Sequence, residues 1–233
     1  SVLGMIAERR GLGDLLAEGS RRASDTIGGG SQDWAMVVKS LEMPGYEPRG
    51  LKTMALGLAV ATRGACHNRS SAYEADFSDT VDRLKADDKR GAITARGEDF
   101  SAVLDSLIWC KFLRKAFEDL YAESATIYEH VTGWPMSADD LRLAGERINN
   151  LKKLFNIREG WRPEHDTLPA RILQEKLPNG VSEGTGLTSD ELDMMVHSYY
   201  RARGWDENGN IPENKLRELD LIDLVQEPTV AAL

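Results

Sequence analysis

The 233-residue chain has 41% apolar and 29% charged residues, which suits one large or two small domains with a sizeable core and no disulfide scaffold. Its formal charge of -9 counts against nucleic acid or an anionic membrane as the main partner, and no apolar run nears the roughly 18 residues of a membrane span. Cys66 and Cys110 are too few for a self-sufficient zinc or iron–sulfur site, which takes about four ligands, and with no signal-peptide pattern the expectation is a cytoplasmic protein with two buried free thiols rather than a disulfide.

The opening stretch, Ser1 to Arg10, sets Val2, Ile6 and Arg9/Arg10 at helical spacing without an initiator methionine. It is expected to begin inside a helix whose earlier turns are absent, as in a fragment, a processed product or the second half of a split protein. The helix is expected to run to Ile27, broken at Gly11–Asp14, with Asp14 capping its second part and Gly28 to Gly30 ending it. "DWAMVVKSL" (Asp33 to Leu41) is the one β-branched run. "LKTMALGLAVAT" (Leu51 to Thr62), almost uncharged after Lys52, reads as a buried helix packed closely on its neighbours.

Further along, Asp76 to Asp99 is charged without clear periodicity and reads as a solvated surface excursion or a lid. Phe100 to Tyr121 reads as a helix with a stripe of Phe100, Val103, Leu104, Leu107 and Ile108. Ser137 and Asp140 form a capping box, after which Leu141, Ala144, Ile148, Leu151 and Phe155 repeat at three and four. A last long helix begins at Ser189 and stops at Gly204, and a short one follows Pro212. The fold class is therefore mostly α, without internal repeats.

Two segments hold residues suited to chemistry. In "ATRGACHNRS" (Ala61 to Ser70), Gly64 permits a tight path, Cys66 adds a soft group, and Arg69 fixes a charge two residues beyond His67, whose imidazole suits proton transfer or hydrogen bonding to a substrate oxygen. In "DSLIWCKF" (Asp105 to Phe112), Asp105 follows Leu104 in the stripe, so its carboxylate is expected to face packed material and need a partner. Five residues on a continuous helix turn about 140°, so Asp105 and Cys110 can face one ligand only if the helix bends or ends there. "PEHD" (Pro163 to Asp166) reads as solvated loop, His130 and His197 as surface groups, and Tyr199, Tyr200 and Trp205 as packing.

"GLGDLLAEGSRRAS", "KSLEMPGYEPRG", "MALGLAVATRGACHNRSSAY", "AVLDSLIWCKF", "GERINNLKKLFNIREGW", "DTLPARIL" and "YYRARGWDENGNIPENKLREL" resemble, in this order, the C-terminal part of the aldehyde:ferredoxin oxidoreductase family of tungstopterin enzymes. The resemblance implies helical C-terminal domains of a multidomain oxidoreductase: residues 1–75 the end of a middle domain bearing the histidine turn, and 76–233 the C-terminal domain. It implies a tungsten (or molybdenum) bis-pterin beside a 4Fe-4S cluster. His67 falls on the active-site histidine, Asp105 and Arg69 on pterin-contacting positions, and Cys110 on the fourth cluster cysteine, with Ile108 and Trp109 standing where the family commonly has glycine and leucine.

The other cluster cysteines, the catalytic glutamate and the first domain would lie upstream, in an N-terminal chain or segment. Ferredoxin or another electron-transfer subunit, and a small aldehyde or acid, would be the remaining partners. Two alternatives stay open: a benzoyl-CoA reductase-type tungsten enzyme, and a helical assembly subunit without cofactor.

Overall fold

The computed structural model describes residues 1–226; residues 227–233, the end of the expected 76–233 unit, lie outside the described part. In chain order the helices are α1 (Val2–Ala7), α2 (Leu12–Leu16), α3 (Gly19–Ile27), α4 (Lys52–Val60), α5 (His67–Ser70), α6 (Tyr73–Asp76), α7 (Lys89–Ser106), α8 (Leu120–Thr132), α9 (Ala138–Arg158), α10 (Ala170–Gln174), α11 (Ser189–Arg203), α12 (Glu213–Glu218) and α13 (Asp223–Gln226). The β-branched run forms only a hairpin, β1 (Val37–Val38) with antiparallel β2 (Leu41–Glu42), its turn made by Lys39 and Ser40 at φ 47° and 67°. The mostly α class expected from sequence holds, and no described helix is long and apolar enough to cross a membrane.

The N-terminal stretch is three short helices rather than one interrupted helix. Ser1 caps α1 by accepting the Gly4 N–H, and Gly11, not Asp14, is the N-cap of α2. Asp14 lies inside the first turn of α2, where it pairs with Arg9.

Every residue of α4 is buried, as its uncharged composition after Lys52 demands, and Lys52 itself donates to the Gly186 carbonyl. Its N-terminus is held by Asp76, whose two carboxylate oxygens accept the N–H groups of Thr53 (3.1 Å) and Met54 (2.8 Å). At its C-terminus Lys39 Nζ donates to the carbonyls of Ala59 and Ala61 (2.5 and 3.1 Å). A carboxylate at the start and an ammonium at the end both match the helix dipole.

The expectation that Asp76 to Asp99 is a solvated excursion holds for residues 77–88, which are exposed or half-buried, and is overturned beyond them. From Lys89 the segment is the first half of α7, and Arg90, Gly91, Thr94, Ala95 and Glu98 are buried. Arg90, with no exposed surface, donates to Asp76 Oδ1 (3.2 Å) and to the carbonyls of Asp82 and Lys85 (2.5 and 2.7 Å). Glu98 pairs with Arg203 (2.7 Å), which also donates to Asp99 (2.6 Å). Small residues do the rest, because a Cβ on Gly91 or Gly97 would come within 3.0 Å of the α11 backbone or the Ser70 carbonyl respectively. The helix buries itself through backbone contact and ion pairs, so it lacks an apolar stripe to read.

α7 also ends sooner than expected, at Ser106. Trp109 N–H bonds back to the Leu104 carbonyl (3.0 Å) around Ile108 in the left-handed region at φ 60°, the geometry of a Schellman stop. The expected continuation to Tyr121 is replaced by a 3-10 turn at Lys111–Lys115 and a new helix, α8, capped by Asp119.

In α9 the capping box of Ser137 and Asp140 forms as expected. Its apolar repeat is buried only at Leu141; Leu151 and Phe155 are exposed, while Gly145, Asn149, Asn150 and Lys153 face inward. α11 runs to Gly204, whose φ of 69° makes the expected stop. His130 and His197 are exposed and Tyr199, Tyr200 and Trp205 buried, as read from sequence. Asp166 of "PEHD" is not solvated: it is buried, accepting from Trp161 Nε1 (3.0 Å) and Tyr200 OH (2.7 Å) and pairing with Lys39 (2.7 Å) and Lys153 (3.6 Å).

Candidate functional site

The chain leaves α4 into a tight turn at Gly64, whose φ of 99° and contact with the Val38 carbonyl leave no room for a side chain. Asn156 of α9 donates its side-chain N–H to the Thr62 carbonyl (2.6 Å), pinning the turn from the other side. α5 follows at once and carries His67, Asn68 and Arg69 on four residues of helix.

His67 is half-buried against two aromatic rings, Tyr46 at 5.3 Å and Tyr73 at 6.1 Å between centroids; these two rings stack on each other at 5.0 Å. Burial holds its imidazole below the ordinary histidine value, and the charges of Lys111 and Arg63 add to the effect. Cys66, just before it, is a buried free thiol. Burial pushes that thiol up, but the hydrogen bond from Arg63 Nη2 (2.8 Å) and the backbone N–H groups of Asn68 and Arg69 outweigh it, and the net direction is down.

The second wall comes from the end of α7 and the segment after it. Arg69 Nη1 donates to Asp105 Oδ2 at 3.0 Å. Asp105 is 47% exposed, not turned toward packed material as the stripe suggested, though it has the partner that a carboxylate was expected to need. In the last turn of α7, Val103 and Leu104 are buried, and Asp105 next to them turns to Arg69 of α5. Cys110, expected to be buried, is an exposed free thiol. Its neighbour Lys111 donates to the Asn68 carbonyl (3.0 Å), and Arg114 donates to Glu74 (2.5 Å) and to the Tyr73 hydroxyl (3.5 Å).

α5 is thus the common anchor. His67 lies in its aromatic pocket, Arg69 holds Asp105, and the Asn68 carbonyl holds the residue next to Cys110. Because α7 stops at Ser106, the 140° that would separate Asp105 from Cys110 on one helix does not apply.

The donor set suits a pterin. Arg69 Nε is buried without a hydrogen-bond partner among the described residues, and Asp105 is an acceptor-only group open on one side. The described residues hold no group of three metal-ligating side chains, so Cys110 offers a cluster one ligand and no more.

Sequence reading missed Tyr46, Tyr73, Lys111 and Arg114. Tyr46 is separated from His67 by all of α4, and only knowing that the chain returns past α4 would have joined them. Tyr73 and Lys111 had a local signal, since each lies within six residues of a singled-out group.

A family model described as aldehyde ferredoxin oxidoreductase, domains 2 and 3, matches residues 1–221. The chain belongs to the aldehyde ferredoxin oxidoreductase family. A tungsten-containing aldehyde ferredoxin oxidoreductase of Pyrococcus horikoshii is 36% identical over 221 residues, covering 93% of this chain and 35% of that relative. One from Pyrococcus furiosus is 35% identical over 223 residues, covering 94% of this chain and 36% of the relative.

An aliphatic sulfonate oxidoreductase, WOR-like subunit, of Pyrococcus furiosus is 27% identical over 97% of this chain and 35% of its own length, so relatives of this chain differ in the substrate their names carry. The chain spans about a third of the length of the curated relatives it matches. In fold it is similar to the active site complex BamBC of benzoyl coenzyme A reductase in complex with 1,5 dienoyl-CoA, with a TM-score of 0.70 over 100% of this chain and 40% of that one, at 19% identity.

Proposed function

We propose that this chain is the C-terminal helical part of a tungsten-dependent oxidoreductase that interconverts aldehydes and carboxylic acids and passes electrons to ferredoxin or another redox subunit. Residues 1–75 would close the middle helical domain and 76–233 form the last one. The observation that supports this most is the convergence on α5 of His67, Arg69, Asp105 and the Cys110 segment, because the resemblance assigns those four residues to one metallocofactor.

Asp105 accepts from the N–H edge of the pterin and Arg69 donates to it, which requires their mutual ion pair to open or be shared. Cys110 supplies one thiolate to the 4Fe-4S cluster, and an N-terminal chain or segment supplies the others. The tungsten centre, when bound, supplies the two-electron oxidation or reduction. His67, uncharged at neutral pH because burial and two nearby cations disfavour the imidazolium, accepts a proton at one ring nitrogen while the other nitrogen donates. Tyr46 and Tyr73 fix the plane of its ring and keep water from one side of it.

The test uses the full-length enzyme purified anaerobically. Expected are tungsten, pterin and iron in the wild type, with aldehyde-dependent reduction of a viologen dye. His67→Asn should lower kcat by about 10²–10⁴-fold with tungsten and iron contents unchanged. Cys110→Ser should lower iron. A wild-type enzyme without tungsten, or one that reduces a benzoyl thioester and leaves aldehydes untouched, would overturn the reading.

A further inference from the structure

Polar contacts set the path of the chain from α4 to α5. Lys39, in the turn of the β1–β2 hairpin, donates to the carbonyls of Ala59 and Ala61 (2.5 and 3.1 Å), Asn156 donates to that of Thr62 (2.6 Å), and the Val38 carbonyl accepts the Ala65 N–H (3.3 Å). His67 begins α5 two residues later. Lys39 also lines two cavities, of ≈ 610 and ≈ 200 Å³, and the smaller one reaches Thr62 and Asn156. The turn therefore borders open space on that flank, and these bonds rather than packing hold it there.

The Lys39 ammonium is itself held in place. Its side chain is 13% exposed, and Asp166 Oδ1, on a side chain 1% exposed, pairs with it at 2.7 Å. Trp161 Nε1 (3.0 Å) and the Tyr200 hydroxyl (2.7 Å) donate to the same carboxylate, with the Lys153 ammonium farther off at 3.6 Å. Moving either ion of a buried pair leaves the other uncompensated away from water, which is costly. The pair thus ties the histidine turn to a carboxylate far along the chain.

We propose that Lys39 and Asp166 are positioning residues for His67, fixing the turn from which its imidazole is presented. The inference rests on the role given to His67 above and adds two residues which that reading does not use. They act through the carbonyls of Ala59 and Ala61. The groups around the imidazole itself are Tyr46, Tyr73, Lys111 and Arg63, which substitutions at 39 and 166 leave unaltered.

The experiment uses the full-length enzyme purified anaerobically and follows carbethoxylation of His67 by diethylpyrocarbonate against pH, by mass spectrometry of the tryptic peptide 64–69. The reagent attacks the neutral imidazole, so the midpoint reports the proton affinity of this ring. Asp166→Asn and Lys39→Met should both move the midpoint upward, toward the ordinary histidine value, because a displaced ring is less buried. They should also lower kcat about 10–100-fold while KM and tungsten content stay within about twofold of wild type. Leu216→Ala, a core truncation on α12, should lower the unfolding midpoint and leave the His67 midpoint where it is. Tyr200→Phe removes one donor to Asp166 and keeps the ring; it should give a smaller upward shift, and it carries the test where the charge variants do not fold.

An unmoved His67 midpoint in every folded variant at 39, 166 and 200 would overturn the inference, whatever happens to kcat. An equal shift in Leu216→Ala would also overturn it, since general loosening would then explain the effect. A moved midpoint with wild-type kcat would leave Lys39 and Asp166 as positioning residues and remove His67 from the reaction, so that the functional reading fails alone.

Discussion

Ile108 occupies a position that local sterics reserve for glycine. A β-branched side chain at φ 60° costs about 1–2 kcal/mol, and at 90% exposure this one recovers none of that through burial. Ile108→Gly is therefore expected to raise the unfolding free energy by about 0.5–1 kcal/mol once the extra freedom of glycine in the unfolded chain is subtracted, which denaturant titration would read directly. The same residue explains why the site was only half legible. His67, Arg69, Asp105 and Cys110 could be singled out by type and spacing, but the stop that ends α7 between the last two carries no glycine to announce it. Asp105 illustrates the reverse case: its need for a partner followed from charge alone, whereas its direction depended on where α7 ends.

Among the elements, the legible ones bury apolar side chains and the illegible ones bury backbone. α4, the start of α9 and α11 announced themselves by composition, capping box and terminal glycine. The first half of α7 did not, because what it presents to its neighbours is Gly91, Gly97, Arg90 and Glu98. A close-packed glycine interface makes a sharp prediction: Gly97→Ala, whose added Cβ would fall within 3.0 Å of the Ser70 carbonyl, should destabilise the protein by about 1–3 kcal/mol. Since Ser70 is the last residue of α5, the displacement should also disturb Arg69, and a lower unfolding midpoint together with faster pterin release from the full-length enzyme would check both effects. The exposed end of the α9 repeat misled for another reason, as periodicity marks an apolar face without saying what covers it.

On the scale of the whole molecule, the interior is unusually charged. Lys153 is buried with its Nζ over the Trp161 ring at 2.8 Å and near Trp205 at 4.7 Å, and among the described residues it forms an ion pair with Asp166 alone. Burial lowers its pKa to about 7, with Asp166 partly opposing the shift. An unfolded lysine keeps its proton to about 10.4, so between pH 7 and 10 the unfolded state binds more protons and stability rises with pH. Below pH 7 both states are protonated and this contribution is flat. The unfolding free energy should therefore climb by up to about 1.4 kcal/mol per pH unit above neutrality, and Lys153→Met should remove most of that slope. Denaturant titrations across pH 6–9.5 would show it.

The two charged clamps on α4 have a mechanical outcome. With Asp76 seated on its first N–H groups and Lys39 on its last carbonyls, this rod can neither unwind from an end nor slide along its axis without stranding a buried ion. The imidazole mounted just beyond it therefore follows a helix fixed at both ends, and the thiol-bearing stretch at 107–115 is tied to the same region through Lys111 on the Asn68 carbonyl and Arg114 on Glu74.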